Sequence, residues 1–241
     1  MTLAITVNNA DYSENSIGWE APTTLQPTTA LFAMNGASGI KNLASSRRQP
    51  TTISGSPTFT PGVAGASLPF ETLGANASLE TYQIFPQKLT IMSLINLGAG
   101  QSTIIGMHDI NSAALILGQR PTLLNNWLVC GGGADQITEN VDNLVTGTWQ
   151  IHMWQCDIST KSPALTYKNY TTGASGTSSG TFSQVYDPTQ TFVLGGASDT
   201  AANSTYQAAV HLFWDDLLGA DDLASSVAWL RQYAASYGVT A

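Results

Sequence analysis

Charged side chains are scarce in this sequence of 241 residues. Asp, Glu, Lys and Arg together make up only 10% of the chain, whereas about a quarter is usual for a globular domain. The eight Lys and Arg are outnumbered by sixteen Asp and Glu, which gives a formal net charge of −8. Such a balance argues against nucleic-acid binding, which needs a basic surface. It argues equally against adsorption to an anionic membrane.

Long apolar runs and paired cysteines are also missing. No stretch approaches 18 consecutive apolar residues, so we predict no membrane insertion. The first residues have neither a basic start nor a long apolar run, so we predict no signal peptide and synthesis in a cytoplasm. Cys130 and Cys156 are too few for a disulfide framework. Their apolar surroundings predict buried free thiols, with a disulfide bridge as the alternative.

Short apolar segments bounded by turn residues recur along the chain instead. Their alternation predicts strands, and the length suits one large all-β domain with a sizeable core. We expect strands over residues 29–34, 67–72, 77–85, 88–97, 102–108, 112–117, 122–130, 148–158, 164–170, 180–185, 191–194 and 206–214.

One segment near the C-terminus has a helical period. Its apolar residues recur at steps of three and four, which predicts a helix over 221–237 that packs one stripe on a sheet. The stripe consists of Leu223, Val227, Leu230, Ala234 and Tyr237. Together with the strands it predicts an all-β, two-sheet antiparallel β-sandwich with one short C-terminal helix. Residues 30–241 form this domain, and residues 1–29 are predicted to be an extended N-terminal arm.

Four short motifs resemble those of one known family. They are Gly147-Thr-Trp149, Phe192-Val-Leu-Gly195, the turn Trp214-Asp-Asp-Leu-Leu-Gly219 and the helix end Tyr237-Gly238. Over residues 66–238 the chain resembles concanavalin A-like, laminin-G-like jelly-roll domains. It departs from that pattern at Val210, where the family often has Glu. The resemblance implies a jelly-roll fold and a lectin-like, carbohydrate-binding module, and such domains often bind calcium.

Two kinds of ligand site are suggested by particular residues. Trp127 and Tyr170 each lie beside a predicted loop and could stack on a sugar; the alternative is that both belong to the core. Asp135, Glu139 and Asp142 follow a triple glycine, and one loop could bring their oxygens around Ca²⁺. The alternative for these three is a solvated acidic loop. No other cofactor is predicted.

Evidence for catalysis is weak. Gly176-Thr-Ser178-Ser-Gly180 matches the pattern of a nucleophile turn, but it lies in a predicted flexible loop of Gly, Ser and Thr. His108, His152 and His211 are isolated and are interpreted as strand residues. No Glu-x-Asp-x-x-Glu strand, which retaining glycosidases of the related fold use, is present. We therefore predict that the chain is not an enzyme.

Two functional hypotheses follow. The first is a structural or attachment module of a virus or phage particle, located in the virion. Its partners would be other virion proteins or copies of itself, and a host surface glycan would be an additional partner. The second is a lectin-like module outside a virion; a polysaccharide hydrolase or lyase comes third. In the first hypothesis the arm contacts a neighbouring subunit through Ile5, Val7, Ile17 and Trp19. The alternative is that the arm adds an edge strand to its own sandwich.

Overall fold

The computed structural model describes residues 19–36, 39–44, 48–74, 77–107, 113–119, 123–195 and 204–241. Within these ranges the chain forms sixteen strands and one α-helix. The elements are β1 Thr29–Ala33, β2 Ile40–Asn42, β3 Thr51–Ser54, β4 Thr58–Thr60, β5 Phe70–Gly74, β6 Ser78–Ile84, β7 Lys88–Leu97, β8 Ser102–Gly106, β9 Ala113–Gln119, β10 Leu123–Cys130, β11 Asp135–Asp142, β12 Trp149–Asp157, β13 Ala164–Asn169, β14 Ser175–Ser179, β15 Thr191–Leu194, β16 Thr205–Trp214 and α1 Ala220–Ser236.

The strands form two antiparallel sheets, so the predicted β-sandwich is confirmed. The nine-stranded sheet has the order β14-β13-β12-β7-β16-β1-β2, and β5 joins it through β16 and carries β4. The seven-stranded sheet has the order β11-β10-β9-β8-β15-β6-β3. Neighbours in both sheets are often distant in sequence, as in the pairing of β16 with β1.

The nine-stranded sheet is buried on both faces at its centre. In β7, Ile91 and Ile95 face the seven-stranded sheet and belong to the core between the sheets. Met92 and Leu94 alternate with them and belong to a second apolar cluster on the outer face. A strand buried on both faces reads as a nearly continuous apolar run, which explains why the bounds of β7 were predicted from sequence.

Helix α1 covers this outer face and confirms the predicted stripe at Val227, Leu230 and Ala234, whereas Leu223 and Tyr237 are half-buried. Leu230 and Ala234 are fully buried and Val227 is 5% exposed, so the helix packs on the sheet as an amphipathic element must. Asp222 in the first turn accepts a hydrogen bond from the backbone N–H of Thr24 at 3.0 Å. Gly238 follows the helix with φ of 73°, the left-handed conformation expected at a helix end. Across the described ranges, no helix is long and apolar enough to cross a membrane.

Three sequence predictions near the strands were wrong. The acidic stretch predicted as a loop is strand β11, and part of the predicted Gly/Ser/Thr loop is strand β14. Residues 180–185, predicted as a strand, have no strand conformation. In β11 the inward positions include Glu139 between two apolar residues, and β14 contains only Ser, Gly and Thr. Neither strand therefore has the apolar alternation by which strands are recognised.

Candidate functional site

An open cleft of about 250 Å³ lies between α1 and the strands β1 and β2. Most of its lining side chains are aromatic or apolar, and we call it the aromatic cleft. It is lined by Trp19, Phe32, Met34, Asn35, Leu43, Trp229, Tyr233 and Tyr237. A concave, mainly apolar site with aromatic walls is the usual form of a ligand-binding pocket.

One wall of the aromatic cleft comes from α1. Trp229, Tyr233 and Tyr237 recur at steps of four residues and so lie along the same side of the helix. The rings of Trp229 and Tyr233 are nearly parallel, at 12°, with centroids 5.5 Å apart. Tyr237 meets Tyr233 edge-on at 5.5 Å. All three side chains are half-buried, which leaves part of each ring accessible to a ligand.

The other wall brings together residues from the start of the chain. The ring centroid of Trp19 lies 5.0 Å from that of Phe32 in β1 and 4.9 Å from that of Trp229. The backbone N–H of Trp19 also donates a hydrogen bond to the carbonyl of Leu43 at 3.1 Å. Trp19, which the sequence suggested as an anchor on a neighbouring subunit, therefore packs on its own domain. Ile5, Val7 and Ile17 lie outside the described residues.

The chemistry of the aromatic cleft suits binding rather than proton transfer. Among the described residues, no Asp, Glu, His, Lys or Arg lines it. The side chain of Asn35 bonds both backbone groups of Gly62, at 2.9 and 2.7 Å. Burial raises the pKa of the Tyr233 hydroxyl, which therefore stays neutral at physiological pH. The cleft thus offers uncharged ring faces and no acid–base pair.

The two residues predicted to stack on a sugar lie in different sheets. Trp127, in β10, is half-buried, and its indole N–H donates to Oε1 of Gln136 at 3.2 Å. Tyr170 follows β13 and packs against the apolar cluster under α1, with the ammonium of Lys168 4.7 Å from its ring centroid. The structure does not bring Trp127 and Tyr170 together. The sequence did carry a signal for the cleft, namely the four-residue spacing of aromatics in α1.

The three residues suggested for calcium lie along strand β11, and the structure does not gather them. Glu139 faces inward, is 5% exposed and accepts a hydrogen bond from Asn126 Nδ2 at 2.9 Å. Burial raises the pKa of this carboxyl. Asp142 faces outward and is exposed. In the part of the chain that the structure describes, no group of three His, Cys, Asp or Glu side chains could hold a metal ion.

Asp135, at the start of β11, has hydrogen-bond partners that occupy one of its oxygens. Its Oδ2 accepts bonds from the Ser183 hydroxyl at 2.6 Å and from the Tyr186 hydroxyl at 2.8 Å. These bonds, with Ser183 first, lower the pKa of Asp135. The carboxylate thereby ties the segment after β14 to β11, which is a structural role.

The histidines and cysteines lie in the interior. His152 and His211 are strand residues, as predicted, and their Nδ1 atoms lie 2.9 Å from the Tyr167 hydroxyl and 2.7 Å from the Ser93 hydroxyl. Burial lowers the pKa of each histidine to about 3. His108 lies outside the described residues. Cys130 and Cys156 are buried and form no disulfide, as predicted, and burial raises the pKa of Cys156.

Comparison with known proteins identifies the fold. No protein-family model matches the chain, and no curated protein sequence matches it. Several botulinum neurotoxin structures are similar to it. The receptor-binding domain of the C/D mosaic serotype has a TM-score of 0.62 at 11% identity, over 89% of this chain and 54% of that one. The binding domain of neurotoxin DC in complex with SialylT has a TM-score of 0.61 at 10% identity, over 85% and 50% of the two chains.

A third similar structure is the serotype D ligand-binding domain in complex with N-acetylneuraminic acid, with a TM-score of 0.61 at 12% identity. That match covers 89% of this chain and 54% of the other. The chain thus spans about half the length of these neurotoxin domains. At such low identity the likeness shows a shared β-sandwich fold alone.

Proposed function

We propose that this chain is a non-enzymatic, concanavalin A-like binding module that attaches a virus or phage particle to a glycan on a host surface. The aromatic cleft between α1 and β1 is the binding surface in this proposal. The observation that carries the proposal is that half-buried Trp and Tyr rings line this open concavity of about 250 Å³.

Ring faces of this kind suit the flat, apolar faces of sugars. Trp and Tyr combine a large apolar surface with a polar edge, so they can contact both the C–H groups and the hydroxyls of a pyranose. Helix α1 holds the rings of Trp229 and Tyr233 nearly parallel, so these side chains lose little conformational freedom on binding. A preorganised site gains affinity because fewer side chains must be immobilised. Fold neighbours in complex with SialylT and with N-acetylneuraminic acid support a sugar-containing ligand by analogy only.

The particle context rests on sequence features. Low charge and loops rich in Ser, Thr and Gly support this context. Partners would be other virion proteins or copies of this chain, reached through the part of the arm that precedes Trp19. Ile5, Val7 and Ile17 would supply the contacts, and the accessible part of the half-buried Trp19 ring would add a further contact. Mass spectrometry of purified particles tests this location, and absence of the chain from particles would refute it.

A lectin-like module outside a virion is the second candidate, and the same cleft supports it. The two candidates differ in location and not in binding chemistry, so the particle assay separates them. Incubation with a panel of polysaccharides should yield no new reducing ends. Turnover that a single carboxylate substitution abolishes would instead show a hydrolase.

Binding itself is tested by a glycan array followed by calorimetry with the best ligand. Trp229→Ala should lower the affinity by at least about tenfold, because a stacked aromatic contributes on the order of 1 kcal/mol beyond its buried area. Trp127→Ala is the matched control, since Trp127 is also a half-buried tryptophan but lies in the seven-stranded sheet. Equal loss with both variants, or with neither, would refute the assignment of the cleft.

A further inference from the structure

An arginine side chain lies over a tyrosine ring at the edge of the seven-stranded sheet. The guanidinium carbon of Arg48 is 3.5 Å from the ring centroid of Tyr82. Arg48 precedes the edge strand β3 and is exposed, and Tyr82 belongs to the neighbouring strand β6. Among the described residues, no carboxylate forms an ion pair with Arg48. In a chain with only eight Lys and Arg against sixteen Asp and Glu, such an arginine is unusual.

The backbone of Tyr82 is strained in a way that places its ring. Tyr82 has φ of 60°, a left-handed conformation that is rare for a bulky residue. The pairing of β6 with β15 shifts register here, between Glu80 and Ile84. Such bulges re-aim a side chain, and strained residues of this kind cluster at binding sites. The Tyr82 N–H donates to Glu80 Oε1 at 2.9 Å, which supports the local turn.

A free hydroxyl proton lies beside the guanidinium. Thr51 Oγ1 and the Tyr82 hydroxyl are 2.9 Å apart, so one of their two protons lies in the bond between them. The pair lies at the exposed edge of the sheet, so the other proton can be donated to a ligand there. Together, the N–H groups of Arg48 and this hydroxyl form a set of exposed hydrogen-bond donors.

We infer that Arg48, Thr51 and Tyr82 bind a carboxylate or sulfate group of the glycan, so that the ligand is an acidic oligosaccharide. A guanidinium presents a planar fork of donors that matches such groups in two parallel hydrogen bonds. Stacking on Tyr82 holds the fork in one orientation before the ligand arrives. The inference that the ligand is an acidic glycan rests on the proposed function, whereas the inference of an anion site at Arg48 does not.

The anion site lies within reach of the aromatic cleft. Leu43 lines the cleft, and Arg48 follows it by five residues in the sequence. In the fold they are brought close, because the side-chain N–H of Asn42, next to Leu43, donates a hydrogen bond to the Arg48 carbonyl at 3.1 Å. In this proposal one oligosaccharide places a sugar face in the cleft and its acidic group on Arg48.

The first experiment compares the free acid and the methyl ester of sialyllactose, which differ at one group, a carboxylate in the first and an uncharged ester in the second. The wild type should bind the acid about tenfold more tightly, as expected for a charge-assisted hydrogen bond. Arg48→Gln should remove that difference, and Arg48→Lys should restore only part of it because an ammonium lacks the fork. Lys161→Gln, which removes an exposed charge elsewhere, should change nothing. Equal binding of acid and ester by the wild type, or an unchanged preference in Arg48→Gln, overturns the inference.

A second experiment needs no glycan and separates the two proposals. Sodium sulfate, compared with sodium chloride at the same ionic strength, should shift the Arg48 Nε–H signal in NMR spectra of the intact chain. The shift should disappear in Tyr82→Ala while the dispersed spectrum shows that the variant is folded. A sulfate-dependent shift without any glycan binding would support the anion site and refute the proposed function. No shift beyond that of chloride would overturn the anion site, whatever the cleft binds.

Discussion

Gly176→Ala tests how the two sheets are closed at one corner of the sandwich. Gly176 lies in β14, the edge strand of the nine-stranded sheet, and a Cβ there would overlap the carboxylate of Glu139 in β11. Its φ is not in the left-handed region, so the backbone itself accepts alanine. The glycine is therefore required only by the space that Glu139 occupies.

The expected size of the effect follows from this contact. Where space allows, Gly→Ala stabilises a protein by roughly 0.4–1 kcal/mol, because the unfolded chain loses freedom. Here the carboxylate is 5% exposed and bonded to Asn126, so it cannot swing aside freely. Overpacking of a buried site costs about 1–3 kcal/mol. We expect a net loss of roughly 1–2 kcal/mol in the free energy of unfolding.

Urea unfolding of four proteins in a double-mutant cycle measures this effect. They are the wild type, Gly176→Ala, Glu139→Ala and the double variant. In the Glu139→Ala background the obstructing carboxylate is gone, so Gly176→Ala should become neutral or stabilising. A coupling energy of about 2 kcal/mol is expected for such contacting residues. A Gly176→Ala variant as stable as the wild type, or a coupling near zero, would refute the contact.

Three further predictions concern pH and packing. Burial raises the pKa of Glu139. The protonated carboxyl therefore stabilises the folded state below about pH 4.5, and this stabilisation is lost as the pH rises through the folded-state pKa. Glu139→Gln should raise the urea midpoint at pH 7 and leave it unchanged at pH 4. Burial lowers the pKa of His152 and His211 to about 3, so stability should fall as the pH drops from about 6.5 towards 3, and an NMR titration with either midpoint near 6.5 would contradict this. Leu230 is fully buried under α1, so Leu230→Ala should cost roughly 2–5 kcal/mol, and a loss below about 0.5 kcal/mol in urea unfolding would show that the stripe is not core.

Sequence periodicity predicted elements whose buried faces are made of apolar residues alone. The strand Lys88–Leu97 and the helix near 221–237 were predicted within one residue of their observed ends. The strand Asp135–Asp142 was missed because its inward position Glu139 is polar. That carboxylate can be buried because Asn126 from β10 donates a hydrogen bond to it and because Gly176 has no side chain that would overlap it. Such compensation comes from distant strands, so the local pattern could not reveal it.

The candidate site shows the same limit. The aromatic spacing of Trp229, Tyr233 and Tyr237 is visible in the sequence, where Tyr237 was assigned to the buried stripe. Their facing partners, Trp19 and Phe32, lie about 200 residues earlier in the chain and meet them only because β1 pairs with β16 next to α1. Periodicity thus identified which residues share a helix side, and topology decided that this side borders an open cleft.

The most direct test of the aromatic cleft uses the six tryptophans as reporters. Each indole N–H gives one NMR signal, and single Trp→Phe variants assign them. On titration with the best glycan from the array, the signals of Trp19 and Trp229 should shift together with one dissociation constant, while that of Trp127 should stay in place. Saturable shifts at Trp127, with Trp19 and Trp229 unmoved, would refute the aromatic cleft as the binding surface and place that surface on the seven-stranded sheet.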